Sequence, residues 1–246
     1  MHDIYREWRR EVFNRYDPPR FAVAEAWVRP ERQYLYASPD ELGQVFNFEF
    51  AKADWTFDAM SKAIDEGLAC AERSGSTSTW VMSNHDVPRH ATRYALPQVP
   101  TGEYHQIAND WLLRDGTTYI EDRQAGALRA RAALMLEMAL PGSAYVYQGE
   151  ELGLFEVADI PWDRIEDPSG LRTSRAQSTK GRHGCRVPLP WAGSRPPFGF
   201  APDGTTTWLP QPEDWASLTA ESQADDDASM LALYRALGTL RRAEPA

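Results

Sequence analysis

The pattern of apolar and polar residues along the chain predicts helices that alternate with short buried strands. Near the start, Ile4, Trp8 and Val12 recur every four residues with charged residues between them, which predicts an amphipathic helix. Asp17-Pro18-Pro19 ends this helix, and the apolar run at 20–27 then predicts a buried strand. A helix followed directly by a strand indicates an αβ repeat.

Three further segments predict short strands because they are rich in β-branched and aromatic residues. The first of them follows a short helical stretch that the pattern predicts after Ser38-Pro39. Polar side chains come directly after the other two, as Asn-His-Asp at 84–86 and Gln-Gly-Glu-Glu at 148–151. The strands are predicted over residues 45–50, 77–83 and 143–147.

Helical patterns separate these strands. The clearest covers 121–139, with an acidic start and a Leu-Pro-Gly stop, and another covers 58–73. A loop-dominated stretch runs to about residue 220, and a last helix begins near Met230. Parallel sheets are built from such repeats, and polar residues at the strand ends suit a (β/α)8 barrel, whose sites lie there. Four strands make half a barrel.

Composition excludes several classes of protein. The formal charge is −10 with no dense basic cluster, so nucleic acid is excluded as a partner and a neutral ligand is favoured. No apolar run reaches the ~18 residues of a membrane span, so no membrane partner is predicted. The first 16 residues lack the apolar stretch of a signal peptide, which predicts a cytoplasmic protein.

Glu25 is the first candidate catalytic residue. It stands within Ala-Val-Ala-Glu-Ala-Trp at 22–27, and an apolar setting raises a carboxyl pKa toward the value that a general acid needs near neutral pH. The adjacent Trp27 offers a face on which a sugar could stack. The equally simple alternative is a carboxylate exposed just beyond a strand end.

A second candidate group follows the strand at 77–83. Asn84, His85 and Asp86 offer an amide, an imidazole and a carboxylate that could bind sugar hydroxyls, and Arg93 lies seven residues beyond Asp86. A helix cap is the alternative role for Asp86. Zinc binding by His85 and His90 lacks the helical HExxH spacing, so no metal and no cofactor is predicted.

Four segments together resemble glycoside hydrolase family 13, the α-amylase family, and within it the exo-acting α-glucosidases and oligo-1,6-glucosidases. They occur in the family's order along almost the whole chain. The segments are FAVAEAW at 21–27, WVMSNHDVPRH at 80–90, AYVYQGEELG at 144–153 and RVPLPW at 186–191.

The resemblance implies a retaining mechanism on an oligosaccharide or other α-glucoside. Glu25 matches the general acid/base, and Asp86 matches the carboxylate that stabilises the transition state. His85 matches a residue that hydrogen-bonds the reacting glucose. Arg186 matches the arginine of an RTPMQW-type motif that contacts the non-reducing glucose, although the motif here reads RVPLPW.

The resemblance also implies that residues 1–246 are the C-terminal half, strands 5 to 8, of the catalytic (β/α)8 barrel. The first four strands, the inserted domain and the C-terminal β-domain are then absent, and so is the family's nucleophilic aspartate. We therefore expect the chain to need an N-terminal half-barrel as partner and to be inactive alone. The alternative is a non-catalytic subunit with a binding or assembly role. The presence of both Glu25 and Asp86 favours the enzyme over this alternative.

Overall fold

A computed structural model describes residues 1–98, 106–174 and 179–244. Four short strands and ten α-helices alternate along these residues. The strands are β1 (Ala22–Ala24), β2 (Gly43–Val45), β3 (Thr79–Val81) and β4 (Ser143–Tyr145). The helices are α1 (His2–Glu11), α2 (Pro30–Ala37), α3 (Phe48–Lys52), α4 (Phe57–Ser74), α5 (His90–Ala95), α6 (Gln106–Leu113), α7 (Arg123–Ala139), α8 (Pro168–Ser174), α9 (Ala220–Gln223) and α10 (Met230–Ala243).

The strands form two parallel pairs, β1 with β2 and β3 with β4, rather than one continuous four-stranded sheet. Hydrogen bonds from side chains, rather than from the backbone, connect the β1–β2 pair to the β3–β4 pair. The Thr79 hydroxyl donates to the Val45 carbonyl at 2.6 Å and accepts from the Asn47 amide at 3.0 Å. Gln44 donates to the Ser143 hydroxyl and accepts from the Tyr145 hydroxyl. The carboxyl ends of all four strands are thereby held in one region.

The two long predicted helices are confirmed to within two residues at each end, and each has a physical start and stop. The Asp122 side chain accepts from the Ala125 amide at the start of α7, and the Thr56 hydroxyl accepts from the Ala59 amide at the start of α4. Gly75 ends α4 with a left-handed backbone at φ 70°. The predicted first and last helices are also present.

The predicted strand at 45–50 is wrong beyond Val45. The Asn47 side chain accepts a hydrogen bond from the Phe50 amide at 3.1 Å, which starts helix α3 where the alternating aromatic residues predicted a strand. The helical stretch predicted after Ser38-Pro39 is a turn instead, and α2 lies before it, with Pro30 at its start.

Two large clusters of buried residues form much of the core. One cluster joins β3 to the helices α3, α4, α5 and α7 through Phe50, Met60, Trp80, Tyr94 and Ala133. A second cluster is formed by the long segment from Leu152 to Trp215, whose described residues are mainly loops and turns, as predicted. Within the described ranges, no helix is both long and apolar enough to cross a membrane.

Candidate active site

A cleft of about 190 Å³, open to solvent, lies at the carboxyl ends of the strands. This volume is smaller than the roughly 300–1,000 Å³ of sites that enclose a drug-sized ligand. Glu25 follows β1, Phe46 follows β2, His85 lies beyond β3 and Tyr147 lies beyond β4, so each strand contributes one wall. Parallel strands present their carboxyl ends together, and this brings distant sequence segments to one site.

Glu25 lies at the mouth of this cleft. Its side chain is 45% exposed, although the alanines on either side of it predict an apolar environment. Glu25 lies one residue beyond the end of β1, where the chain leaves the buried Ala24 and reaches the surface. A carboxyl group in this position can reach a ligand in the cleft.

His85 lies between the two candidate catalytic carboxylates. Its Nε2 atom is 3.8 Å from Glu25 Oε1 and 3.5 Å from Asp86 Oδ1. The His85 side chain is 53% exposed, whereas that of Asp86 is only 17% exposed. The structure therefore brings the three residues together from the ends of β1 and β3.

Two arginines from the long loop hold Asp86. Arg182 Nη1 donates to Asp86 Oδ1 at 2.5 Å, and Arg186 Nη2 donates to the same oxygen at 3.1 Å. Arg182 also donates from Nε and Nη2 to the two oxygens of Asp167, at 2.7 and 3.0 Å. Its hydrogen bonds hold the pKa of the fully buried Asp167 carboxyl well below its usual range. The loop is thus attached to the site by a chain of charge pairs.

Sequence reasoning missed Arg182 and Asp167. Asp86 and Arg182 are 96 residues apart, and Arg182 belongs to a segment without regular secondary structure, so no periodicity relates them. The only signal in the sequence was Arg186, four residues after Arg182, which matches the arginine of the RTPMQW-type motif. Arg186 lies where the resemblance implies a ligand contact, and it binds Asp86 and the His85 carbonyl.

Two predicted ligand-contacting residues have other surroundings. Arg93 is buried and donates to the backbone carbonyls of Pro88, Ala53 and Met82, which gives it a structural role, and its contact with substrate stays a prediction. Trp27 stacks on Phe48 with ring centroids 4.0 Å apart, and it is not among the residues that line the cleft. About half of its surface is exposed.

Replacing Arg182 with glutamine is expected to lower the free energy of unfolding at pH 7 by about 3 kcal/mol, because it leaves the Asp167 carboxylate buried without its cation. The pKa of Asp167 is depressed, so its contribution to stability is present above the ordinary carboxyl pKa and is lost as pH falls below it. Urea unfolding at pH 7 and near pH 3 measures both effects.

Arg195→Gln is the matched control, because this arginine is exposed and lies in the same long segment. Its unfolding midpoint should remain close to the unmodified value. If Arg182→Gln and Arg195→Gln unfold at the same urea concentration, the pair with Asp167 contributes nothing to stability.

The model of the alpha amylase catalytic domain matches residues 1–246, the whole chain. A curated relative, the "Probable alpha-glucosidase" of Rhizobium meliloti, is 35% identical over 185 residues, which cover 75% of this chain and 26% of the relative. The oligo-1,6-glucosidase of Parageobacillus thermoglucosidasius is 25% identical over 274 residues, covering 98% of this chain and 43% of the relative. The chain thus spans less than half of the length of these relatives.

Solved structures give the same result for the fold. An α-glucosyl transfer enzyme, XgtA, superposes with a TM-score of 0.76 at 26% identity, covering 99% of this chain and 39% of that one. The trehalose-6-phosphate hydrolase of Bacillus licheniformis superposes with a TM-score of 0.68 at 25% identity, covering 99% and 43%. The four strands therefore have the arrangement found in part of each of these two enzymes.

Proposed function

Because the chain belongs to the α-amylase family, glycoside hydrolase family 13, we propose that it is the C-terminal half of the catalytic barrel of a retaining α-glucosidase. The proposed reaction removes terminal α-linked glucose from oligosaccharides. The observation that supports it best is the convergence of Glu25, His85 and Asp86 at the strand ends. The similarity to an α-glucosidase and an oligo-1,6-glucosidase supports this substrate class.

Glu25 acts as the general acid in this proposal. It donates a proton to the glycosidic oxygen as the bond to the anomeric carbon breaks, and it later removes a proton from the attacking water. Its exposed position at the cleft mouth lets it reach both the leaving group and water.

Asp86 stabilises the positive charge that develops on the glucose ring. Its Oδ1 atom already accepts hydrogen bonds from Arg182 and Arg186. These hydrogen bonds hold the carboxylate in a fixed position, as a group that stabilises charge without moving requires. His85, between the two carboxylates, is placed to hydrogen-bond a hydroxyl of the same sugar.

The nucleophile is proposed to come from a segment outside residues 1–246. Retaining hydrolysis needs two carboxyl groups about 5–5.5 Å apart on opposite sides of the scissile bond. Asp86 is assigned to charge stabilisation, so Glu25 lacks a nucleophilic partner in this assignment. The proposal therefore includes a complementary N-terminal half-barrel that completes the site.

Expressing the chain alone and together with the N-terminal half of the Rhizobium meliloti relative tests this proposal. We expect hydrolysis of p-nitrophenyl α-glucoside only by the pair, since only the pair holds a nucleophile opposite Glu25. Activity of the chain alone would contradict the assignment of the nucleophile. A folded pair without activity would instead favour a non-catalytic subunit.

A further inference from the structure

Helix α1 presents an apolar side that the described residues leave about half exposed. Ile4 and Trp8 lie on this side, and so does Val12 directly after the helix, because residues four apart fall on one side of an α-helix. These three residues form the α1 face. An amphipathic helix normally turns such a face toward a core. Here no residue of α1 is buried, so the α1 face is accessible to a partner.

Polar contacts fix the orientation of α1. Arg6 Nη1 donates to the buried carboxylate of Glu41 at 2.8 Å. Arg9 donates from Nε and Nη2 to the backbone carbonyls of Glu41 and Leu42, both at 2.9 Å. Successive residues of a helix are about 100° apart around its axis, so these two arginines lie on a different side from the α1 face. Turning the α1 face toward the core would break their hydrogen bonds.

Strand β1 has an open edge. Among the described residues, β1 pairs only with β2. The Ala22 amide and the Ala24 carbonyl bond toward the β2 side, so the N–H and C=O groups of Val23 face the other side. An edge of this kind is a template for a further strand. Tyr5 and Phe13 pack against the same cluster of buried residues as β1, which places the helix and the strand in one unit.

We propose that the α1 face and the open edge of β1 form the docking surface for the N-terminal half-barrel. The partner adds a parallel strand beside Val23 and packs an apolar helix face on Ile4, Trp8 and Val12. The identity of the partner rests on the proposed function. Strand pairing and helix packing around it are the contacts that close a (β/α)8 barrel. Each of the two superposed enzymes has more than half of its chain outside the superposed part, which is enough for such a half-barrel.

Charge disfavours a second copy of this chain as the occupant. Helices α1 and α10 each have two arginines in the last turn. Arg9 donates to the Arg20 carbonyl just before β1, and Arg241 donates to the Gly142 carbonyl just before β4, so both helices end near the start of a strand. A second copy that paired its β4 with β1 would bring the two arginine pairs to the same end of the barrel, where they repel. The N-terminal half-barrel brings no copy of these arginines.

Co-expression of the full chain with the N-terminal half of the Rhizobium meliloti relative, followed by analytical ultracentrifugation, tests the docking surface. We expect a one-to-one complex with the unmodified chain. Trp8→Lys and Ile4→Lys should each weaken the association at least about tenfold, because each places a charge within an apolar contact. Far-ultraviolet circular dichroism and urea unfolding of each variant alone check that it is folded, as expected for substitutions of half-exposed side chains.

Phe57→Lys is the matched control, because Phe57 is also an exposed apolar side chain but belongs to α4. The proposal is overturned if the unmodified chain stays separate from the N-terminal half, or if Trp8→Lys and Phe57→Lys associate equally well. A dimer of the chain alone that Trp8→Lys dissociates would assign the α1 face to a second copy and would also overturn it.

The association is measured without sugar, so it separates this proposal from the proposed function. A complex that depends on Trp8 but never hydrolyses p-nitrophenyl α-glucoside would count against the proposed function alone. An active pair whose association Trp8→Lys and Ile4→Lys leave unchanged would count against the docking surface alone.

Discussion

Glu25→Gln is expected to lower maltose hydrolysis by the reconstituted pair at least about a hundredfold, the usual contribution of general acid–base catalysis. Glutamine keeps the shape of the side chain but cannot donate the proton that the departing glucose needs. Because Glu25 is exposed at the cleft mouth, the substitution should leave folding intact. The measurement is kcat/KM for maltose with the variant and the unmodified chain, each paired with the same N-terminal half.

The leaving group distinguishes loss of the acid from general damage to the site. A p-nitrophenolate departs without being protonated, so kcat/KM for p-nitrophenyl α-glucoside should fall much less than kcat/KM for maltose. Glu31→Gln is the control, since Glu31 is exposed on α2 and belongs to no wall of the cleft. Equal losses for the two substrates would contradict a proton-donating role for Glu25.

Much of the fold could be predicted because it depends on local patterns. Helix α7 has an acidic cap and a Leu140-Pro141-Gly142 stop, and both signals lie within one segment. The segment at 45–50 shows the limit of this reasoning. Its aromatic alternation is typical of a strand, yet the hydrogen bond that the Asn47 side chain accepts from the Phe50 amide starts α3 at the next residue.

The site could be predicted only in part. The grouping of Glu25 with His85 and Asp86 follows from one rule, that parallel strands bring their carboxyl ends together, and the roles of these residues stay predictions. The ion pairs of Asp86 could not be predicted, because Arg182 comes from a loop whose path depends on tertiary packing. The structural role of Arg93 could not be predicted for a related reason, because its three carbonyl partners come close to it only in the folded chain.

A pair of buried glutamates lies behind the strands, outside the proposed reaction. Glu137 on α7 is fully buried, and Glu150 beyond β4 is nearly so. Among the described residues, no donor forms a hydrogen bond of good geometry with their four carboxylate oxygens, although the Tyr234 hydroxyl lies near Glu150. The His90 Nδ1 atom is 3.5 Å from Glu150, but burial lowers the pKa of His90 to about 3, so this imidazole is neutral and cannot balance the charge.

Burial raises the pKa of Glu150 to about 8, and burial together with the nearby Glu150 charge raises the pKa of Glu137 well above its usual range. In the unfolded chain both carboxyls ionise near pH 4.5. Between these values the folded state holds more protons than the unfolded state, so stability falls as pH rises. The fall for one such group is roughly 3–4 kcal/mol between pH 5 and pH 8.

Glu150→Gln is therefore expected to make the free energy of unfolding decline less steeply with pH, by about 1 kcal/mol per pH unit between pH 5 and pH 8. Glu137→Gln should act in the same direction, because it removes one carboxyl and its repulsion of the other. Urea unfolding across this range measures the slopes, with exposed Glu7→Gln as the control. Glu156, also buried with a pKa raised to about 7, adds a common background to all the variants. If the slopes for Glu150→Gln and Glu7→Gln are equal, the Glu150 carboxyl is ionised in the folded state and is stabilised there by a cation or a hydrogen-bond donor.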